Sequence, residues 1–279
     1  IVQTLDHGFG TSFHIPIPNN LGTPGSKNSQ SISSSAPVLF DVFHSPAVPK
    51  PTDRVKITAK VKSMAEIEYV RVRHRLDSTN GNGNWGRSTM YDDGSSGGDL
   101  VANDGVYTAI LSNYNRQGNI AQFYVEASSK DDQITMMPKL GPERPAMFIV
   151  DGREMKDNLL RERLILSNYD RRALSSGGGS SYDYKFPRMS NHYFNATFIA
   201  NESEIFYNAE IRKSGSPFTR DGGSSLAHGK WKLPGDRLFR ERRRNVFDAS
   251  GTSEGSGTPR FYDDRIARHF LYQLGHPVN

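Results

Sequence analysis

The residues with the clearest chemical potential lie in one short stretch, YDDGSSGGDLVANDGVYTA, at residues 91–109. A calcium ion takes six to eight oxygen ligands from carboxylates, amide carbonyls and the main chain, and this stretch is rich in such oxygens. The candidate calcium ligands are Asp92, Asp93, Asp99, Asn103 and Asp104. Their spacing differs from that of an EF-hand loop, so the prediction rests on residue types alone.

A structural turn is the other interpretation of the same stretch. Asp and Asn side chains accept hydrogen bonds from nearby backbone N–H groups in turns, and glycine supplies positive φ at no steric cost. A phosphate cradle is disfavoured, because the carboxylates would repel the anion and the stretch contains no Lys or Arg. Calcium binding and a purely structural turn are therefore both open.

Other chemistries find little support in the residue content. Cysteine is absent, which excludes disulfides, thiolate metal sites and a cysteine nucleophile. The eight histidines are scattered and form no HExxH pattern. The sequence also lacks a GxSxG elbow, a Walker A motif and a GxGxxG following a strand. We therefore predict no catalytic residue from motifs.

The net charge is modestly basic, at +5, and many cations fall in the run DRLFRERRRN. Its arginines are Arg237, Arg240, Arg242, Arg243 and Arg244. Such a run is usually a solvated face, and its functional interpretation is docking on an acidic neighbouring domain or an anionic cell-surface polymer. Nucleic acid is not the expected partner, since Phe239 is the only aromatic residue in the run and a series of stacking aromatics is missing. No apolar run approaches the roughly 20 residues of a membrane span.

Residues 37–150 have the pattern of an all-β domain. In RVKITAKV the apolar residues alternate with polar ones, which indicates a half-buried strand. Similar strands are predicted for IEYVRVRHRL, GVYTAIL, IAQFYVEAS and AMFIV, with turn residues between them. Short strands at this spacing predict a β-sandwich of the immunoglobulin or fibronectin type.

The flanking regions differ in character. Residues 1–36 are dense in Pro, Gly, Asn and Ser and predict a linker. The chain begins with Ile1 and shows no signal peptide, so we expect a mature or internal piece of a longer product. Residues 151–279 predict an α+β part. It has a helix near 155–160 capped by Asp151, a strand in RLILS, a hairpin turning at Asn201-Glu202, and a final helix over 263–275.

Several stretches resemble domains of bacterial surface proteins. GTPGSKNS resembles the closing turn of lamin-tail-like domains, and MYDDGSSGGDLVANDGVYTAIL followed by IAQFYVEASSKDD resembles a surface-protein sandwich domain. YNAEIRKSGSPFTR, GKWKLP and DDRIARHFLYQLGHPVN resemble the first half of the spore-coat-protein-H (CotH) kinase-like family. The resemblance implies a mainly β chain with a smaller α+β part. It divides into a lamin-tail-like tail and linker (1–36), an immunoglobulin/fibronectin-like sandwich (37–150) and the N-terminal portion of a CotH-like α+β domain (151–279).

The kinase-like resemblance also implies a set of nucleotide-binding residues. Residues Arg212, Lys213, Ser214 and Ser216 would lie near the phosphates, with Lys230 or Lys232 as the charge partner. RKSGSP departs from the Arg-Gly-Asn-Ser-like core of the active kinases. The catalytic and magnesium-binding aspartates of that family follow the helix that ends near Asn279. ATP and magnesium are thus expected only together with a catalytic half outside this chain.

These observations favour a non-catalytic structural or interaction module of a larger bacterial exported or cell-surface protein. Its expected partners are the remainder of the same polypeptide or other subunits of a surface assembly. One alternative is a CotH-like atypical protein kinase completed by a further segment. Another is a calcium-dependent adhesin or carbohydrate-binding module that uses the sandwich loop.

Overall fold

The computed structural model describes residues 5–6, 12–13, 35–78, 81, 83–112, 114–154, 161–175, 191–214, 228–235 and 237–248. The chain divides into two compact units, Ile1–Ser35 and Ala36–Asn279. In the first unit, two short strands pair antiparallel, β1 (Leu5–Asp6) and β2 (Ser12–Phe13).

The first part of the second unit contains two antiparallel sheets. Its strands are β3 (Val38–Ser45), β4 (Val55–Lys62), β5 (Ile67–Leu76), β6 (Gly86–Thr89), β7 (Val106–Leu111), β8 (Ile120–Ser129), β9 (Ile134–Met137) and β10 (Ala146–Ile149). One sheet has the order β3-β4-β7, and the other has the order β10-β8-β5-β6. Strand β9 pairs with β8 on the segment Val125–Ser128, next to the segment that pairs with β10. A short 3-10 helix, Gly141–Glu143, lies between β9 and β10.

Period-2 alternation explains how these two sheets share a core. Val55 and Ile57 of β4 point to the same face as the other apolar residues of that strand and are buried. They belong to one hydrophobic cluster with Val72 of β5, Phe123 of β8 and Phe148 of β10. The two sheets therefore pack face to face in a sandwich-like arrangement, and the strands predicted in this region are confirmed.

The second part of this unit is a further antiparallel sheet with one described helix. Its elements are β11 (Glu162–Ile165), α1 (Asn168–Ser175), β12 (Phe194–Ala200), β13 (Glu204–Lys213), β14 (His228–Lys232) and β15 (Arg244–Asp248). The strands follow one another in chain order across the sheet. The hairpin predicted at Asn201-Glu202 is confirmed, and both residues adopt the positive φ that a tight turn requires.

Aromatic packing forms the core of this second sheet. Phe198 stacks on Trp231 with ring centroids 4.5 Å apart, and Phe206 and Phe239 pack around the pair. Leu233 is also buried in this cluster. Trp231 of β14 and Leu233 just after it are therefore buried in the core of this sheet.

The one described helix is not one of the two that the sequence predicted. The helices expected over 155–160 and 263–275 lie outside the described residues. Asp151, expected to cap the first of them, has its carboxylate engaged elsewhere and accepts hydrogen bonds from Gln117, Arg153 and Arg163. Helix α1 was not predicted; its first turn is capped by Ser167, whose Oγ accepts the N–H of Asp170 at 3.0 Å. Within the described ranges, no helix has the length and apolar character needed to cross a membrane.

Candidate functional site

The Asp/Gly loop directs its carboxylates at its own backbone. Asp93 Oδ1 accepts the N–H groups of Ser95 and Ser96 at 2.8 and 2.6 Å. Asp99 is buried and bridges two points of the loop. Its Oδ2 accepts the N–H of Gly94 at 2.6 Å, and its Oδ1 accepts the N–H of Leu100 at 2.9 Å. Both aspartates act as caps of tight turns.

Asp92 closes the loop by joining its two ends. Its two oxygens accept the N–H groups of Asp104 and Gly105, each at 3.1 Å. Asp104 in turn accepts the Val106 N–H at 2.8 Å, at the first residue of β7. Asn103 contributes through its backbone, since its N–H donates to the Asp92 carbonyl and its φ is 59°.

These contacts set the electrostatics of the loop. Backbone and hydroxyl donors from Ser96 and Ser95 lower the pKa of Asp93 to about 2, because they stabilise the charged carboxylate. In the part of the chain that the structure describes, no group of three or more His, Cys, Asp or Glu residues is arranged to hold a metal ion. The geometry is that of a self-capped turn that leads into β7. Calcium binding by these residues stays a prediction.

The sequence-predicted phosphate-end residues meet on β13 and β14. Arg212 lies directly opposite Lys230, and Glu210 lies directly opposite Lys232. Opposite and alternate residues of an antiparallel pair share one face, so these four side chains form a charged face, defined here as the β13–β14 face. Lys213 belongs to the opposite face of β13, Ser214 is buried just after the strand, and Ser216 lies outside the described residues.

Part of this face is neutralised internally. Glu210 accepts hydrogen bonds from Lys232 and from Arg144 of the sandwich part. Although burial opposes the shift, these two cations hold the pKa of Glu210 below its usual range. The Lys232 ammonium also lies 4.4 Å from the ring centre of Tyr193. Lys232 is therefore satisfied by protein groups.

The positive charges of Arg212 and Lys230 are less completely neutralised by the described residues. The Arg212 guanidinium donates to Asn191 Oδ1 and lies over the Tyr193 ring at 5.2 Å, both of which are uncharged groups. Lys230 makes no ion pair with any of the described residues. Like charges directly opposite each other destabilise a sheet. A negatively charged group placed beside this pair would relieve that repulsion.

A buried seam joins the sandwich to the second sheet. The backbone N–H of His44 in β3 donates to Tyr207 Oη at 3.0 Å, and the Nδ1 of His44 lies 2.6 Å from the same oxygen. The N–H of Met147 in β10 donates to Thr197 Oγ1 of β12 at 3.0 Å. Around these bonds lies an apolar cluster formed by Met147, Ile165, Ile199 and Ile205. The seam is thus both hydrogen-bonded and hydrophobic.

Burial controls the protonation of the seam residues. It lowers the pKa of His44 to about 4, with a smaller opposing contribution from the hydrogen bond to the Ala47 carbonyl. It also raises the pKa of the Tyr207 phenol well above its usual range. Both side chains are therefore neutral at neutral pH.

Comparison with known proteins gives little further information. No protein-family model matches the chain, and the search of curated proteins found no relative. An uncharacterised protein of Listeria monocytogenes EGD-e, lmo2446, aligns with 77% of this chain at 14% identity and a TM-score of 0.27, and the chain spans about 15% of its length. The sporulation control protein Spo0M of Bacillus subtilis aligns over 86% of this chain and 98% of its own, at 8% identity and a TM-score of 0.23. Neither similarity is close enough to assign a fold family or a function.

Sequence reasoning missed the seam residues. His44 and Tyr207 are 163 positions apart, so no local pattern connects them. The available signal was the place of His44 in the apolar strand VLFDVFHS, where a histidine on the buried face requires polar partners.

Proposed function

We propose that this chain is a non-catalytic structural and interaction module of a larger bacterial exported or cell-surface protein. The buried seam between the sandwich and the second sheet is the observation that carries the proposal. A module that spaces or orients its neighbours must hold its own parts in a fixed relation, and a hydrogen-bonded apolar seam does this. Its partners are the remainder of the same polypeptide or other subunits of a surface assembly.

Strand order supports a finer assignment of the sandwich. The first, second and fifth strands, β3, β4 and β7, form one sheet. The third, fourth and sixth strands form the other, with β9 and β10 together completing its edge along β8. This order supports a fibronectin-type sandwich. The CotH-like and lamin-tail-like assignments rest on the sequence resemblances alone.

The test combines unfolding and enzymatic measurements on the purified chain. Calorimetry should give one cooperative unfolding transition for residues 36–279, because the seam couples the two parts. Incubation with radiolabelled ATP, magnesium and a generic protein acceptor should give no phosphate transfer. Two separable transitions would contradict the rigid-module proposal, and phosphate incorporation would contradict its non-catalytic character.

The like-charged pair Arg212 and Lys230 favours a second candidate, a CotH-like kinase completed by a segment outside this chain. Phosphoryl transfer requires cations at the nucleotide phosphates, and these two cations lie opposite each other, with no ion pair to Lys230 among the described residues. The test is a titration with magnesium-ATP, comparing the wild type with Lys230→Met and with the matched control Lys130→Met on the sandwich. Binding that is lost only in Lys230→Met would support this candidate, and equal behaviour of the two variants would remove it.

A calcium-dependent adhesin remains the third candidate. A ligand that binds only the folded state raises the melting temperature. Melting curves of the chain in millimolar calcium and in chelator therefore test the loop. A rise that is absent in Asp92→Asn would support calcium binding, and identical curves would leave the structural turn.

A further inference from the structure

A polar cleft of about 420 Å³ opens where the sandwich meets α1 and β12. Arg75 and Gln122 line it from the sandwich, and Tyr169, Asp170 and Asn195 line it from the second part of the unit. None of the residues in the Asp/Gly loop or on the β13–β14 face belongs to this lining. The cleft is therefore a separate feature of the molecule.

The side chain of Asn195 is incompletely satisfied in this cleft. Asn195 is 8% exposed, and its Nδ2 donates to the Pro145 carbonyl at 2.8 Å. Its Oδ1 is buried and has no hydrogen-bond partner among the described residues. An unmatched buried acceptor costs about 1–3 kcal/mol. Because this oxygen is shielded from solvent, a ligand of the cleft would contact the other polar groups of the lining.

The wall formed by the sandwich is rigidly positioned. Arg75 donates from Nε to Gln122 Oε1 at 2.7 Å and from Nη1 to the Gly83 carbonyl at 2.9 Å. Its guanidinium also lies over the Trp85 ring at 4.3 Å. Gln122 is held in turn by donating to Asp77 Oδ1 at 2.9 Å. These contacts fix the orientation of Arg75 before any ligand arrives.

The opposite wall offers an aromatic ring and a carboxyl group. Tyr169 is 38% exposed, so part of its ring is open to a ligand. Burial raises the pKa of the neighbouring Asp170 carboxyl, against a smaller lowering by its hydrogen bond with Ser167. Glu143 adds a second carboxyl to the lining. The cleft thus combines several acceptors, one fixed cation and one apolar surface.

We propose that this cleft binds a neutral, hydroxyl-rich ligand of the size of a monosaccharide or disaccharide. Hydroxyl groups donate to the carboxyl groups of Asp170 and Glu143 and accept from Arg75, while the C–H face of a sugar ring packs on Tyr169. An anion is disfavoured, because Glu143 and Asp170 outnumber Arg75. The volume lies within the range of about 300–1,000 Å³ usual for small-molecule sites. This binding activity is independent of the proposed role as a rigid module.

The test is saturation-transfer difference NMR on the full chain. The probes are D-glucose, D-mannose, N-acetyl-D-glucosamine, maltose and cellobiose, with glycerol as a minimal polyol and D-glucuronate as an anionic sugar. At least one neutral sugar should bind at about 10 mM or below and should bind more tightly than glycerol and D-glucuronate. Absence of binding by every neutral sugar, or tighter binding of D-glucuronate, would overturn the proposal.

Variants connect the signal to the cleft. Tyr169→Ala should weaken binding by about tenfold or more, which corresponds to about 1.4 kcal/mol. The matched control is Tyr91→Ala, since Tyr91 is 40% exposed and lies outside the cleft. Circular dichroism checks that both variants fold. If Tyr169→Ala binds as tightly as the wild type, or if Tyr91→Ala weakens binding equally, the sugar does not occupy this cleft.

Discussion

The phenol oxygen of Tyr207 in β13 accepts the backbone N–H of His44 in β3 and lies 2.6 Å from the Nδ1 of the same histidine. The other ring nitrogen, Nε2, lies 2.9 Å from the Ala47 carbonyl, to which it can only donate. Nδ1 of the neutral ring is then the acceptor, and the Tyr207 hydroxyl donates to it. One phenol thus joins the sandwich to the second sheet through two hydrogen bonds.

The first prediction concerns the substitution Tyr207→Phe. It keeps the ring but leaves the His44 N–H and Nδ1 without their partner in a buried setting. The free energy of unfolding should fall by about 1–3 kcal/mol, the usual cost of unpaired buried polar groups. Urea unfolding followed by fluorescence measures this change. Tyr91→Phe is the control, and its effect should stay below about 0.5 kcal/mol because Tyr91 is a surface residue. Equal stabilities of the two variants would show that the seam bonds contribute nothing.

The second prediction is a pH dependence that originates in His44. Its pKa is lowered from 6.5 to about 4 in the folded protein, so between these values the unfolded state binds more protons than the folded state. Stability should therefore be fully retained above pH 6.5 and should fall as the pH decreases towards about 4, where the loss levels off. The steepest slope that one such proton allows is about 1.4 kcal/mol per pH unit.

Equilibrium unfolding at a series of pH values measures this slope. Because burial also lowers the pKa of His74, the wild type must be compared with His44→Asn, which removes only the titration of His44. The variant should show the shallower slope across this window. If both slopes are the same, His44 is not the group that titrates.

Local patterns in the sequence predicted much of the sandwich and little of what connects it to the second sheet. Strand β4 was predictable because Val55 and Ile57 alternate with polar residues. Successive side chains of a strand point to opposite faces, so this pattern depends only on local sequence. Helix α1 has a local signal too, Ser167 followed three residues later by Asp170, but RLILS, which ends at Ser167, indicated a strand. The pairing of His44 with Tyr207 depends on tertiary packing alone.

The candidate sites show the same limit. A structural turn was one of the two interpretations of the Asp/Gly loop, and the structure places its carboxylates on backbone N–H groups. Composition could not predict that Glu210 neutralises Lys232 while Arg212 faces Lys230, because that depends on the register of β13 and β14. The cleft at Asn195 was not predictable either, since its walls come from separate parts of the chain.

The third prediction concerns Asp99, which is 5% exposed. Asp99→Ala removes the acceptor of the Gly94 and Leu100 N–H groups and should cost about 1–3 kcal/mol of unfolding free energy. Chemical denaturation gives the value. Asp131→Ala is the control, because Asp131 is exposed and its side chain caps no turn in the described structure, so its cost should stay below about 0.5 kcal/mol. A loss for Asp99→Ala no larger than for the control would show that the loop tolerates the missing cap.

The fourth prediction compares a glycine of the Asp/Gly loop with a glycine outside it. The comparison separates the cost of steric crowding from the cost of a left-handed backbone conformation. Gly97 has a φ of +60°, and a Cβ at this position would lie 2.7 Å from the Thr108 carbonyl oxygen and 2.9 Å from the Tyr91 ring. Gly118 also has a positive φ, of +82°, but a Cβ there meets no atom within 4 Å. Gly118→Ala should therefore cost only the left-handed conformation, about 1–2 kcal/mol.

Gly97→Ala should cost more than that, because it adds a clash with backbone in the pairing between Tyr91 and Thr108 that anchors the loop to β7. Thermal and urea unfolding of the two variants give the comparison. Hydrogen exchange at the amides of Tyr91 and Thr108 provides a local readout, and it should accelerate in Gly97→Ala alone. Equal destabilisation with unchanged exchange would mean that the close approach of Gly97 to β7 does not hold the loop in place.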